Sequence, residues 1–432
     1  MRGLCTALLV SAAFVGLSTR ASATERCGSP LVTTCINSDT LWPHAGAQQL
    51  LTVGGTETVG KGQVAFGLYT SYLSRPISLH LPSPGAGGSD QFAVNDQVNG
   101  TFLWAYGVTS RLELDVALPV TFGQGGAGVE PITGGAGLQD TALRDLRFGA
   151  AYAVVPRARV SAEKQSLWAL TARLEMSAPT GDEDQFAGER AAVFMPSVAA
   201  DARLGRLFAG AEVGARLRPT AELVGARIGS QVLFGIGAGY DLLPRRDLLG
   251  VMYEARVLPI LSEQHDSTQT AQGLVSTPNG KHLFPAEWSL GVRTAPLAGG
   301  DFAIQAGGGA PFTTDAPITS PRFRFMLSIR YAPLQRDSDG DGVLDRDDSC
   351  PHHPGSIASG GCEPERPAEK PAFEMRPGNP ACDDDPDTVD GFTDEACPDE
   401  DADKDGIDDR HDICPAQAED FAGLPDGCPE KR

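Results

Sequence analysis

The sequence predicts an all-β chain: a 12-stranded antiparallel transmembrane β-barrel followed by an irregular calcium-loop tail. Three observations predict it. Hydrophobicity alternates with period two over residues 60–331, the connections between alternating runs are short and long in turn, and carboxylates near the C-terminus recur in the order of a calcium-binding loop.

The chain opens with Arg2, an apolar run over 4–17 and the small residues Ala21-Ser22-Ala23, so residues 1–23 read as a secretory signal peptide. That run is too short for a stable membrane helix. Residues 24–59 precede the first alternating run and hold Cys27, Cys35, Trp42 and Pro43. Three placements are open to this periplasmic or plug segment: filling the barrel, lying beneath it, or hanging as a loose tether.

The body spans 60–335. Leu112, Leu114, Val116 and Leu118 share one face, and Glu113 and Asp115 share the other. The same alternation sets Trp168, Leu170, Ala172, Leu174 and Met176 against Thr171, Arg173 and Glu175, and sets Phe323, Phe325, Leu327 and Ile329 against Arg324, Ser328 and Arg330. Strands are therefore expected at 62–73, 94–106, 112–120, 143–154, 168–176, 191–203, 207–218, 228–241, 248–258, 285–294, 301–310 and 323–331. Short connections fall at 107–111, 155–165, 204–206, 242–247 and 295–300. Long ones, rich in Gly, Pro and Asp, fall at 74–93, 121–142, 178–190, 219–227, 259–284 and 311–321. That asymmetry is the mark of an outer-membrane barrel. Lipid supplies no hydrogen bonds, so such a sheet must close on itself. An even strand number puts both ends on the short-turn side, which is expected to be periplasmic.

The faces expected to point inward carry Glu113, Asp115, Arg147, Arg173, Glu175, Asp201, Glu212, Arg216, Glu254, Arg256, Glu287, Arg293, Arg322, Arg324 and Arg330. The balance of signs favours a mutually paired, rigid lumen over a selectivity filter. A soluble sandwich is the competing fold. Faces that mix Gly, Ala, Ser and charges would make it a poor dry core.

Residues 336–432 form an acidic tail. From Asp337 onward there are 29 acidic against 8 basic residues; of the totals of 56 and 35, 27 of each remain for the body. The tail thus carries the whole net charge of −21, which makes nucleic acid an unsuitable partner. Carboxylates stand at positions 1, 3, 5, 9 and 12 of two loops: Asp337, Asp339, Asp341, Asp345 and Asp348, and again Asp401, Asp403, Asp405, Asp409 and Asp412. Gly342 and Gly406 stand at position 6, and the carbonyls of Val343 and Ile407 would fill position 7. A hard cation needs many converging oxygens, and this spacing aims them from one tight turn. Pro351 and Pro415 argue against the exit helix of an EF-hand. Once the signal and Cys5 are removed, eight cysteines remain, which suits an oxidising compartment. Nearest-neighbour pairing would join Cys27 with Cys35, Cys350 with Cys362, Cys382 with Cys397, and Cys414 with Cys428, although eight cysteines allow 105 connectivities.

Both loops, 337–351 and 401–415, resemble the thrombospondin type 3 repeat, DxDxDGxxDxxDxCP, and 387–398 resembles a degenerate connecting repeat. The resemblance implies calcium ligation by the aspartates named above, and disulfides that tie neighbouring repeats. It covers about a fifth of the chain and is interrupted by a Pro- and Glu-rich linker at 363–380. The order of signal, barrel and repeats is similar to OmpA-like outer-membrane proteins of the myxobacterial type, and 105–114 and 179–182 look like the turns of those barrels. The peptidoglycan-binding domain that many of them carry does not follow here, so cell-wall anchoring is not expected.

No HExxH or GxSxG occurs, so no enzyme is expected; the arrangement to check is a Ser or Asp beside His265 or His282. His352-His353 reads as exposed linker, and Gly134 to Gly137 as loop. The leading expectation is a porin-like barrel that anchors a calcium-stiffened periplasmic tail, with outer-membrane lipid, calcium and another envelope protein as partners. One alternative is a passive channel for a small solute. A second is a calcium-dependent adhesin, which strand parity disfavours because cell adhesion needs an outward-facing tail.

Overall fold

The computed structural model describes residues 27–363, apart from 82–88, 135–136, 158, 161–166, 244–247, 271–272, 298–299, 314–317 and 346. The expected signal peptide, all but the first residue of the linker expected at 363–380, the expected degenerate repeat and second calcium loop, and Cys382, Cys397, Cys414 and Cys428 lie outside the described residues.

Twelve antiparallel strands form one closed sheet: β1 (Val64–Leu81), β2 (Ser89–Gly107), β3 (Leu112–Gly125), β4 (Arg147–Val155), β5 (Trp168–Ser177), β6 (Val193–Leu204), β7 (Leu207–Arg216), β8 (Gln231–Asp241), β9 (Gly250–Val257), β10 (Ala286–Leu297), β11 (Phe302–Pro311) and β12 (Phe323–Tyr331). Each strand pairs with its sequence neighbours. The seam closes where β12 meets β1, from Phe323 opposite Ser74 to Tyr331 opposite Phe66.

Side chains follow the period-two pattern. Glu113, Arg173, Glu175, Glu212, Glu254 and Arg324 are buried inside, whereas Leu114, Val116, Leu174, Val213, Ile236 and Phe325 are exposed outside. The outer face carries Trp104, Tyr106, Tyr152, Trp168 and Tyr240 toward the short-turn end, and Phe122, Phe148, Phe194, Phe234 and Phe312 toward the long-loop end. Aromatic girdles bounding an apolar band suit the two faces of a bilayer, where an Arg or Lys at the midplane would cost about 2–4 kcal/mol. Arg322 departs from expectation. It lies one residue before β12 and is exposed, because the pattern extends beyond the point where the wall ends.

The connection expected over 74–93 is mostly strand. β1 and β2 continue as a paired hairpin to Leu81 and Ser89, with register shifts between Ser74 and Ser78. Arg75 takes φ 51 at this irregularity, so the ladder survives the Arg75-Pro76 interruption by bending around it. Beyond the bend, Ile77 and Leu79 pack with Ala93, Val94, Phe186 and Leu223 into an apolar cluster. Other long connections also form hairpins: Ala221–Leu223 with Ala226–Ile228, and His265–Thr270 with Gly273–Pro278.

Candidate functional site: the filled lumen

Of the three placements open to the N-terminal segment, the structure puts residues 35–59 inside the barrel. At the long-loop end, Val32–Thr33 pairs with Gly28–Ser29 and, through Leu223, with the hairpin at 221–228. Cys27 and Cys35 are bonded there, as nearest-neighbour pairing predicted. The chain then runs down the lumen and leaves at the short-turn end, where Gly62 N–H donates to Gly107 O at 2.7 Å before β1 begins. Gly107 is required at this crossing, since a Cβ there would lie 2.0 Å from Gly60 O.

A chain without strand or helix pairing must find other partners for its buried N–H and C=O groups. The wall provides them. Glu254 on β9 accepts from the backbone N–H groups of Leu51, Thr52 and Val53 at 2.8, 2.7 and 3.1 Å, and from Thr52 Oγ1 at 2.7 Å. Glu212 accepts from Gly54 N at 2.8 Å, and Glu113 from Val59 N at 2.7 Å. Gln305 donates to the carbonyls of Gln48 and Gln49. Arg330 donates to His44 O at 2.6 Å, and Thr171 to Thr56 O at 2.6 Å. His44 sits between two carboxylates, with Nδ1 3.3 Å from Glu175 and Nε2 3.1 Å from Glu212. Both ring nitrogens can donate only in the imidazolium form.

This arrangement corrects the expectation of a lumen paired mainly with itself. Direct wall-to-wall ion pairs exist, such as Arg203 with Asp241 and Arg324 with Glu287. Much of the inward charge, however, is spent on the segment. The sign balance could not reveal this, because neutral backbone groups are partners that leave no charge in the sequence.

Apolar contacts fix the position along the lumen. Leu50, Leu51 and Val53 project from the segment into a socket lined by glycine. A Cβ on Gly237 would come within 2.6 Å of Leu50 Cδ1, one on Gly307 within 2.7 Å of Leu51 Cδ1, and one on Gly235 within 3.2 Å of Val53 Cγ2. Crevices between segment and wall are small. One lined by Ala47, Val59, Arg157 and Leu334 and another lined by Asp39, Trp42, Asn99 and Arg147 hold about 20 Å3 each, room for about one water.

The first of the two acidic loops expected to bind calcium follows β12 at the short-turn end. Arg336–Asp337 pairs in parallel with Arg159–Val160 from a short turn, and Gln335 donates to Thr58 O at 2.9 Å. The carboxylates of Asp337, Asp339 and Asp341 lie within 4.8 Å of one another. Gly342 takes φ 92, the left-handed backbone that position 6 needs. Asp345 and Asp348 do not join the triad. Asp345 accepts from Ser338 N and Oγ at 2.6 and 2.7 Å, and Asp348 from Cys350 N at 2.7 Å. Cys350 and Cys362 are bonded. Asp339 Oδ2 is buried without a hydrogen-bond partner. Partial desolvation, and then the charges of Asp341, Asp348 and Asp337, raise the Asp339 carboxyl above its usual value against a lowering hydrogen bond from Asp341 N–H. Crowded like charges and an orphaned oxygen fit a divalent cation.

His265 lies beside Ser276, Glu222 and Arg227, but not as a nucleophilic relay. Its Nδ1 meets Ser276 Oγ at 2.8 Å and also faces Glu222 at 3.7 Å, whereas Nε2 faces Arg227 Nη1 at 2.9 Å. A relay needs nucleophile and carboxylate on opposite ring nitrogens.

No family model matches this chain, and no curated protein matches it. Among solved structures it is similar to the COG4313 outer membrane channel from Pseudomonas putida F1, at 15% identity and a TM-score of 0.45, covering 64% of this chain and 98% of that one. It is also similar to the KdgM porin, at 7% identity and a TM-score of 0.33 over 62% and 99% of the two chains. A third is the Ralstonia pickettii toluene transporter TbuX, at 10% identity and a TM-score of 0.28 over 63% and 90%.

Proposed function

We propose that this chain is an outer-membrane channel for a small solute, closed at rest by its own N-terminal segment. One observation carries the reading: the material filling the lumen is a separable stretch of chain, not the side chains of the wall. A barrel serving only as an anchor can be built from about eight strands and filled by its own side chains. Here twelve strands enclose a polar interior, and residues 35–59 occupy it without strand pairing. If the segment shifts, a charged, hydrogen-bonding passage remains. We assign no catalytic role, since the His265 cluster has the wrong geometry for one.

The test is solute flux. Purified full-length protein and the variant Leu50→Asn/Leu51→Asn would be placed in liposomes and swelling followed in arabinose. Native protein should swell slowly and the variant, its socket contacts weakened, at least several-fold faster. If neither swells while both run as heat-modifiable barrels, the channel reading falls.

The small size of the crevices beside the segment favours a second reading, a rigid anchor that spaces the tail from another envelope component. The tail's role is common to both readings. Asp337, Asp339 and Asp341 would hold a calcium ion, and 401–412 would hold another by the same spacing. With the short turns on the periplasmic side, this tail would lie in the periplasm, where bound calcium would offset its like charges.

A further inference from the structure

Five arginines converge on residues 37–43 of the segment. Arg324 Nη1 lies 2.7 Å from Asp39 Oδ1, and Arg144 bonds Asn37 and reaches Asp39 O at 3.5 Å. Arg216 donates to Thr40 O at 2.8 Å, and Arg256 to Thr40 Oγ1 at 3.2 Å. Arg147 donates to Pro43 O at 3.3 Å, and the guanidinium carbons of Arg147 and Arg216 lie 5.0 and 4.8 Å from the ring centre of Trp42. Arg144, Arg147, Arg216, Arg256 and Arg324 are all at most 6% exposed.

Wall carboxylates oppose this set without bonding most of it: Glu175 and Asp115 act on Arg147, and Glu189 on Arg216, from beyond hydrogen-bond reach. Glu287 bonds Arg324 at 3.2 Å and lies 3.6 Å from Arg256. Asp145 instead accepts from the amides of Thr180, Gly181 and Glu189. The segment adds one carboxylate, Asp39. Several buried donors still have no partner: Nε and Nη1 of Arg147, Nε of Arg216 and Nη2 of Arg324. Buried guanidinium donors without an acceptor are costly, so a wall that gathers five arginines and leaves four of their nitrogens unpartnered has a use for a further acceptor.

We propose that this arginine collar is an anion-binding constriction for small organic carboxylates, and that Asp39 with the carbonyls of Thr40 and Pro43 occupies it as a built-in stand-in. The inference rests on the channel reading and names the solute class of that passage. Guanidinium forks suit a carboxylate, each offering two parallel donors. In a narrow, low-dielectric passage their summed field would concentrate anions at the collar. Withdrawing Asp39 and admitting a solute carboxylate exchanges one anion for another, so the collar's charge need not change between closed and loaded states.

Reversal potentials in planar bilayers test the proposal, using full-length Leu50→Asn/Leu51→Asn under a tenfold KCl gradient. Chloride should be preferred over potassium several-fold, and millimolar potassium succinate should reduce the chloride current. Adding Arg147→Gln/Arg216→Gln should bring the preference toward unity and abolish the succinate effect, whereas Arg147→Lys/Arg216→Lys should retain the anion preference. Heat-modifiable migration would confirm that each variant forms a barrel. Potassium preference, or a chloride preference unmoved by the glutamine pair, overturns the collar and leaves the channel standing. Silence from the Leu50→Asn/Leu51→Asn protein removes the channel reading and the collar together.

Discussion

At the scale of single residues, Glu254 holds the segment most directly, because one carboxylate accepts three consecutive backbone N–H groups. Glu254→Ala would strip those donors of their partner in a buried site, at about 1–3 kcal/mol for each donor left unmet. We expect a lower midpoint for thermal loss of the folded gel band and a higher ion conductance, with Glu254→Gln between variant and native. An unchanged midpoint and conductance would show that the bonds do not retain the segment. Sequence alternation placed Glu254 on the inner face but could not say what it binds, since its partners are main-chain groups 201 to 203 residues earlier in the sequence. The proposed calcium ligands are the opposite case. Their spacing is local, and Asp337, Asp339 and Asp341 converge as the spacing suggests. Replacing Asp341 and Asp405 with Ala should remove most calcium binding in titration calorimetry; undiminished heats would refute the ligand assignment.

Among the elements, all twelve strands were legible because a lipid-facing wall enforces a strict period of two. What escaped was structure that answers to neighbours instead of lipid. Arg75-Pro76 looks like a chain break, yet the β1–β2 hairpin continues past it because Ile77 and Leu79 find an apolar cluster above the lumen. Gly210 of β7, Gly235 and Gly237 of β8, Gly291 of β10 and Gly307 of β11 read as featureless small residues; their reason is the socket for Leu50, Leu51 and Val53. Gly237→Val should therefore press on Leu50 and loosen the segment, giving faster arabinose entry into liposomes than native protein. Equal rates would mean that the socket does not fix the segment. The bonded pair Cys350–Cys362, with a separation of 12 residues, staples the stretch that follows the proposed first calcium loop. Cys350→Ser/Cys362→Ser should weaken calcium binding and increase cleavage by protease within 337–363. If affinity and cleavage are unaltered, the disulfide does not shape that loop.

For the whole molecule, the segment makes the chain cross its own barrel. Residues 27–35 sit with the long loops, and the first strand begins at the other end. If the short turns lie in the periplasm, as proposed, a short epitope inserted at Pro30, exposed at the long-loop end, should be recognised by antibody on intact cells. Recognition only after permeabilisation would reverse the orientation or the threading. Parity and loop length made the barrel's closure readable in advance. The filling of the lumen was not, because irregular chain carries no periodic signal and is specified by groups scattered over the wall.

Central to this account is that residues 35–59 occupy the lumen of the membrane-inserted protein, and thiol labelling at Gly235→Cys tests it most directly. Gly235 faces inward behind Val53, and a Cβ there would lie 3.2 Å from the nearest valine methyl, a contact that a small shift of the valine side chain relieves. A water-soluble maleimide should react with this cysteine at least tenfold more slowly than with one placed at exposed Ser110, and Leu50→Asn/Leu51→Asn should erase most of the difference. Equal rates in the native background would mean that the lumen is open to water and that the segment does not fill it.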